Sequence, residues 1–251
     1  MLNNLFSWKT FLGELNTNIV GIVNVTDDSF TGDGILEKPH TINQIYQTAI
    51  KRDIQFLDIG CISTKPNFSS ITTEEEMRRL NSFLEIKNTS FNYSIDSFNP
   101  LIAKKALENN FCVVNDVSGA RNSEMLKVVK DYSAGIIVVH RNPNSSFIHE
   151  KVNYQNIIRD VKNDLRKQIK DVLGSGVRKE KIAIDLGLGF GKTMEQSAIL
   201  FESIGQFVDE YPLVAGYSKK KFTKLLKSSE DELLNHCNKN AVSLVRLHIV
   251  H

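Results

Sequence analysis

Short runs of apolar, mostly β-branched residues alternate along the chain with longer stretches in which apolar residues recur at helical spacing. That alternation is the pattern of repeated βα units and a parallel sheet. Eight runs stand out: Ile19–Val23, Phe56–Ile59, Tyr93–Ile95, Cys112–Val114, Gly135–Val139, Lys181–Ile184, Leu213–Gly216 and Ser243–Leu247. Most lie between turn-forming or charged residues, as strands buried on both faces should. Between them, Thr72-Thr73-Glu74-Glu75-Glu76 offers a hydroxyl cap followed by acids that suit the positive end of a helix, and Met77, Leu80 and Leu84 continue at helical spacing. Asn99-Pro100 starts another helix, with proline in its first turn, and Tyr154–Leu173 is the longest helical segment. Eight strands with seven helical intervals predict an α/β protein, a (β/α)8 TIM-type barrel, although an open doubly wound sheet fits the periodicity too. The polar clusters favour the barrel, because nearly all of them fall just after a strand, where such barrels carry their active sites.

Composition narrows the picture. With 251 residues, 41% hydrophobic and 24% charged, the chain suits one large globular domain spanning 1–251, with no linker or internal repeat to divide it. Folding at this size buries roughly 70–75% of the unfolded surface, enough for a core without disulfides or structural metal. Cys61, Cys112 and Cys237 are odd in number and lack C-x-x-C spacing, so a reducing compartment is expected. Basic and acidic residues number 31 and 29, spread evenly, which gives no reason to expect nucleic-acid binding. The first eighteen residues mix Leu2, Leu5, Phe6, Trp8, Phe11 and Leu12 with polar residues and lack the apolar core of a signal peptide. No stretch approaches the ~20 apolar residues that span a bilayer, so a soluble, cytoplasmic protein without membrane partners is expected.

The chemistry sits at the strand ends. The run Gly21-Ile22-Val23-Asn24 leads into Val25-Thr26-Asp27-Asp28-Ser29-Phe30, and Asn24 offers a neutral carbonyl oxygen suited to Mg²⁺, which keeps several waters and often shares phosphate oxygens. The ordinary alternative is a capped loop. Leu57-Asp58-Ile59-Gly60 runs into Cys61-Ile62-Ser63-Thr64-Lys65-Pro66, where Lys65 is placed to meet a phosphate or simply solvent. Asp96, Asn115-Asp116 and Asp185 end three further strands. An aspartate there is costly to bury unpaired; each alone is as well explained by an ion pair or a cap, but together they suit a heterocycle with alternating donors and acceptors. Asp185-Leu186-Gly187-Leu188-Gly189-Phe190-Gly191-Lys192 lacks the spacing of a Walker phosphate loop, and its glycines suit a tight turn close to a ligand. Ser218-Lys219-Lys220-Lys221 follows the seventh strand. Arg246 and His248 share one face of the eighth and, facing inward, would form a cationic pair able to hold a diphosphate.

In this order the motifs resemble those of the dihydropteroate synthase family. Asn24–Phe30 is similar to the family's Asn-Val-Thr-Pro-Asp-Ser-Phe with Asp27 for proline, and Asp58–Pro66 to Asp-Ile-Gly-x-x-Ser-Thr-Arg-Pro with Lys65 for arginine. Asn115–Gly119 matches Asn-Asp-Val-Ser-Gly unchanged. Asp185–Lys192 matches Asp-Pro-Gly-x-Gly-Phe-Gly-Lys with Leu186 for proline, Ser218–Phe222 matches Ser-Arg-Lys-Ser-Phe with Lys219 for arginine and Lys221 for serine, and Val245–Val250 matches Val-Arg-Val-His-Asp-Val with Leu247 for valine and Ile249 for aspartate. The resemblance implies a Mg²⁺-dependent transferase of folate biosynthesis that joins 6-hydroxymethyl-7,8-dihydropterin diphosphate to p-aminobenzoate. It further implies that Asp96, Asn115, Asp185 and Lys220 hold the pterin. Asn24, Arg246 and His248 would bind the diphosphate, with Asn24 also the metal ligand, and Ser218 would meet the p-aminobenzoate carboxylate. Asp28, Phe30, Thr64 and Lys65 would close over the leaving pyrophosphate, and with Asp96 they form the expected catalytic set.

The departures matter as well. Lys65 and Lys219 keep the charge of arginine and lose its planar fork. The chain stops just after the eighth strand, so the barrel is expected to lack its last outer helix, and with it part of the homodimer contact that the resemblance implies. Two alternatives follow: a non-catalytic or divergent pterin-binding homologue, and a reduced-folate methyltransferase, which would have no use for diphosphate-binding residues.

Overall fold

The computed structural model describes residues 6–13, 17–25, 39–62, 71–145, 150 and 152–249. Its strands are β1 (Asn18–Asn24), β2 (Phe56–Gly60), β3 (Asn92–Asp96), β4 (Val113–Asp116), β5 (Gly135–Val139), β6 (Ile182–Asp185), β7 (Leu213–Gly216) and β8 (Leu244–His248). Each pairs in parallel with the next, and β8 returns to β1, which closes the barrel and excludes the doubly wound sheet. Helix α1 (Trp8–Leu12) precedes β1. The helices α2 (Pro39–Lys51), α3 (Thr73–Ile86), α4 (Pro100–Glu108), α5 (Ser123–Asp131), α6 (Ile157–Gly174) and α7 (Met194–Glu202) follow β1 to β6 in turn, and α8 (Thr223–Leu226) and α9 (Glu230–Lys239) both follow β7. Among the described residues no helix follows β8, and none is long and apolar enough to cross a membrane. The three cysteines are free thiols.

Strand alternation sorts the core into two layers. Inward-facing Val20, Phe56, Val113, Ile137, Ala183, Val214 and Leu244 fill the lower lumen. Outward-facing residues such as Leu57, Ile95, Val114, Val138, Leu213 and Val245 pack beneath the helices with Phe83, Leu107, Val161 and Phe201. The N-terminal segment closes the bottom. Trp8, 1% exposed, donates its indole N–H to the Lys181 carbonyl at 2.8 Å, and Phe11 meets the Phe56 ring at 4.8 Å between centroids.

Side-chain caps set where several helices begin. Thr72 accepts from the Glu75 amide, Asn99 from the Leu101 amide, and Asn156 from the Arg159 amide, so the longest helix starts at Ile157 and not at Tyr154. Several strands run one or two residues past their apolar stretches. Asn24, Asp96, Asn115, Asp185 and His248 lie within the strands because the backbone ladder continues while the lumen-facing side chains turn polar, and Gly60 and the outward-facing Asp116 extend β2 and β4 in the same way.

Candidate active site at the barrel mouth

Moving up the lumen, the apolar layer gives way to charge. Asp58 on β2 is 1% exposed, and its Oδ1 accepts from Ser94 Oγ at 2.5 Å. Its Oδ2 accepts from Asn115 Nδ2 at 3.3 Å and from Arg246 Nη2, which also reaches Asp96 Oδ2 at 2.8 Å. The register explains the grouping, since Asp58 stands beside Ser94 and Asp96 beside Asn115 on neighbouring strands. One guanidinium, 7% exposed, therefore bridges two carboxylates. Burial works against its charge, and Asp58, Asp96 and Asp185 outweigh that cost. Burial pushes Asp96 above the usual carboxylate range; Arg246 pulls it back, and Asp58 pushes the same way as burial.

Asp96 Oδ1, Asn115 Oδ1 and Arg246 Nε are buried and have no hydrogen-bond partner among the described residues. Two acceptors and a donor are thus presented at the mouth, the acceptors suited to the N–H groups of a planar ring and the donor to an anion beside it.

The opposite side is built on the glycine-rich turn after β6. Asp185 Oδ1 accepts from the Gly187 amide at 2.7 Å, and Gly187, Gly189 and Gly191 take φ values of 61°, 80° and 59°, the left-handed region that glycine enters freely. Lys220, from the loop after β7, donates to the Leu188 carbonyl at 2.6 Å and lies 4.7 Å from the centroid of the Phe190 ring. Asp185 and Lys220 both lie beside the end of β7, since a Cβ at Gly216 would stand in ordinary contact, 3.7 Å, with Asp185 Oδ2 and with Lys220 Nζ. Burial lowers Lys220 to about 8, with Asp185 opposing. Ser218 Oγ accepts from the His248 amide and lies 3.2 Å from His248 Nδ1.

All eight substrate-binding candidates that the structure describes, Asn24, Asp96, Asn115, Asp185, Ser218, Lys220, Arg246 and His248, lie at this C-terminal mouth, on the strands or directly after them. Asp28, Phe30, Thr64 and Lys65 lie outside the described residues. Arg246 and His248 share one side of β8, as their spacing predicts, and both are held by neighbouring side chains. Two buried acids engage Arg246, and Ser218 engages His248, because lumen-facing positions on β2 and β3 are acidic. Sequence reasoning gave Asp58 and Ser94 no role of their own. Their signal was a polar residue at every second position of otherwise apolar strands. Among the described residues no group of three or more His, Cys, Asp or Glu could hold a metal. The Asn24 carboxamide, whose Oδ1 would lie 3.5 Å from a Cβ on Gly60, is the neutral oxygen at the end of β1.

Residues 20–249 match the family model described as pterin binding enzyme. Over 244 residues the chain is 30% identical to a bifunctional dihydropteroate synthase/dihydropteroate reductase of Helicobacter pylori, covering 92% of this chain and 63% of that protein, so it spans less than two thirds of that relative. Among solved structures it resembles dihydropteroate synthase from Anaplasma phagocytophilum with bound 6-hydroxymethylpterin-monophosphate, at 28% identity and a TM-score of 0.78 over 93% of this chain and 94% of that one. It also resembles Xanthomonas albilineans dihydropteroate synthase with 4-aminobenzoic acid, at 25% identity and a TM-score of 0.78, over 92% and 87% of the two chains.

Proposed function

The chain belongs to the family of pterin binding enzymes and, within it, to the dihydropteroate synthases, and on that premise we propose that its barrel mouth joins 6-hydroxymethyl-7,8-dihydropterin diphosphate to p-aminobenzoate in folate biosynthesis. One observation carries the reading: Asp96, Asn115, Asp185, Lys220 and Arg246 meet at one lumen end with unpartnered acceptors and a donor among them. The pterin's ring N–H groups go to the Asp96, Asn115 and Asp185 oxygens, and the Lys220 ammonium donates to a ring acceptor.

The reaction breaks the bond between the pterin methylene and the diphosphate oxygen, with the electron pair leaving on pyrophosphate. The aniline nitrogen of p-aminobenzoate then supplies the pair for the new C–N bond and afterwards releases a proton to solvent or product. Its nitrogen is already nucleophilic, so placement is what the protein must supply. Carboxylates at the pterin favour positive charge spreading from the methylene into the ring as the pyrophosphate departs. Asn24, Arg246 and His248 take the diphosphate, with Arg246 contributing the Nε that its carboxylates leave open, so that hydrogen-bond donors and the guanidinium charge face the growing negative charge. Ser218 offers its hydroxyl to the p-aminobenzoate carboxylate. Asp28, Phe30, Thr64 and Lys65, which lie outside the described residues, are the side chains that the family motifs assign to the leaving pyrophosphate. A Mg²⁺ ion needs few protein oxygens when phosphate and water supply the rest, and Asn24 is the residue suited to hold it; when bound it neutralises diphosphate charge. We assign the reaction to the cytoplasm, the reducing compartment that three cysteines without paired spacing suggest.

Isothermal titration with the pterin diphosphate, with and without Mg²⁺, followed by turnover with p-aminobenzoate, tests this reading. Dihydropteroate and pyrophosphate formed in equal amounts are expected. Tight pterin binding without turnover would replace the reading by that of a non-catalytic homologue, and binding of a reduced methylfolate in preference to the diphosphate by that of a methyltransferase.

A further inference from the structure

Lys192 ends the glycine-rich turn just before the Thr193 cap of α7, and its ammonium is buried. It donates to the Gly187 carbonyl at 2.9 Å and to the Phe190 carbonyl at 3.1 Å, and among the described residues it forms no ion pair. A buried ammonium is costly, so a lysine satisfied by two carbonyls asks for an explanation. The charged and titratable groups facing it are Asp185 from β6, Asp164 from α6, Lys220 from the loop after β7 and His140 at the end of β5. Burial lowers Lys192 to about 7, and burial with Lys192 nearby lowers His140 to about 4, so His140 is neutral and adds no repulsion at neutral pH.

The turn is closed by one internal hydrogen bond, from the Phe190 amide to the Gly187 carbonyl at 3.0 Å, and carries three glycines in the left-handed region. Side chains supply its further restraints. The Gly187 amide is held by Asp185, the Gly189 amide by Ser197 Oγ at 3.1 Å, and the carbonyls of Gly187 and Phe190 by Lys192. The two remaining features of the turn, the Leu188 carbonyl and the Phe190 ring, are the groups that hold Lys220.

We propose that Lys192 is a positioning residue for the pterin pocket: by tying together the two carbonyls of the turn, its ammonium fixes the Leu188 carbonyl and the Phe190 ring, and through them places Lys220 beside Asp185. The inference rests on the pterin-binding reading of the mouth. It assigns Lys192 no contact with substrate.

The test compares full-length wild type with Lys192→Met and Lys192→Ala. Titration with 6-hydroxymethylpterin should show affinity reduced about ten-fold in both variants, the size expected when charge-assisted hydrogen bonds that order a site are lost. The KM for the pterin diphosphate should rise in step, while kcat and the KM for p-aminobenzoate stay unchanged. Added ethylammonium should restore pterin binding to Lys192→Ala, and ethanol of similar size should not. Native circular dichroism with wild-type pterin affinity in Lys192→Met would overturn the proposal. So would an equal loss for both substrates without amine rescue, which would make Lys192 a general stabiliser. Should both variants fail to fold, Ser197→Ala loosens the same turn from its other side; a pterin-selective loss of about three-fold supports the proposal, and its absence overturns it. Wild type that binds the pterin but forms no dihydropteroate would remove the synthase reading and leave Lys192 judged by affinity alone, whereas wild type that binds no pterin would overturn both.

Discussion

Arg246 is the hinge of the site's electrostatics, because one buried cation balances Asp58 and Asp96 together. Replacing it by Met leaves two carboxylates facing each other in the lumen. Because burial holds Asp96 at about 7 even with Arg246 lowering it, the loss of stability should reach about 3–5 kcal/mol only at pH 9, the usual result of leaving buried charge uncompensated, and should shrink at pH 5, where that carboxyl carries a proton. Urea unfolding at the two pH values checks this, and an equal loss at both would show that charge is not the cause. Asp185→Asn keeps the shape and removes the charge, so pterin affinity should fall by about 1.5–3 kcal/mol by titration calorimetry. The lysines impose a pH dependence of their own. In the fold Lys192 and Lys220 titrate at about 7 and about 8, against about 10.4 for an unfolded lysine. Between those values the unfolded chain holds more protons, so their contribution to unfolding free energy climbs with pH across that window. Urea midpoints from pH 7 to 10 should show that climb weakened in Lys192→Met. Pterin affinity, which needs the Lys220 charge, should instead fall as pH rises through about 8. Asp96, Asn115, Asp185 and Lys220 were legible as site candidates because each follows an apolar run. Asp58 and Lys192 stood in the same motifs without roles, since only the three-dimensional register shows that one anchors Arg246 and the other reaches back five residues to Gly187.

At the level of strands and helices, all eight strands and the beginnings of α3 and α4 could be read from apolar period and capping residues. The strand ends could not be read as well, because apolarity stops where the lumen becomes polar while the ladder hydrogen bonds continue. Helix α9 tests how far stability and site are separable. It opens with a capping box in which Ser229 Oγ accepts from the Glu232 amide at 3.2 Å and Glu232 accepts from the Ser229 amide at 2.7 Å. Ser229→Ala should cost about 1 kcal/mol in urea unfolding. Pterin binding should remain as in wild type, and a binding defect would mean that α9 helps to shape the mouth.

The two ends of the barrel divide their tasks: the lower lumen is sealed by apolar side chains and the upper lumen is committed to charge. Trp8 is the centre of the seal, packed against Phe6 and Phe11 and hydrogen-bonded to Lys181. The sequence showed these aromatic residues clearly and gave no hint of their place, since nothing in a short N-terminal segment says which barrel end it covers. Trp8→Ala should lower stability by about 3–5 kcal/mol, measured by urea unfolding, while the folded fraction keeps its pterin affinity. A wild-type unfolding midpoint would show that the seal holds without the indole. Trp8 is also the sole tryptophan of the chain, which gives the protein a built-in optical reporter. Its emission wavelength follows water reaching the bottom of the barrel, so ligands entering at the top should leave that wavelength in place, and a red shift during a titration would mark loss of the fold and not occupancy of the site.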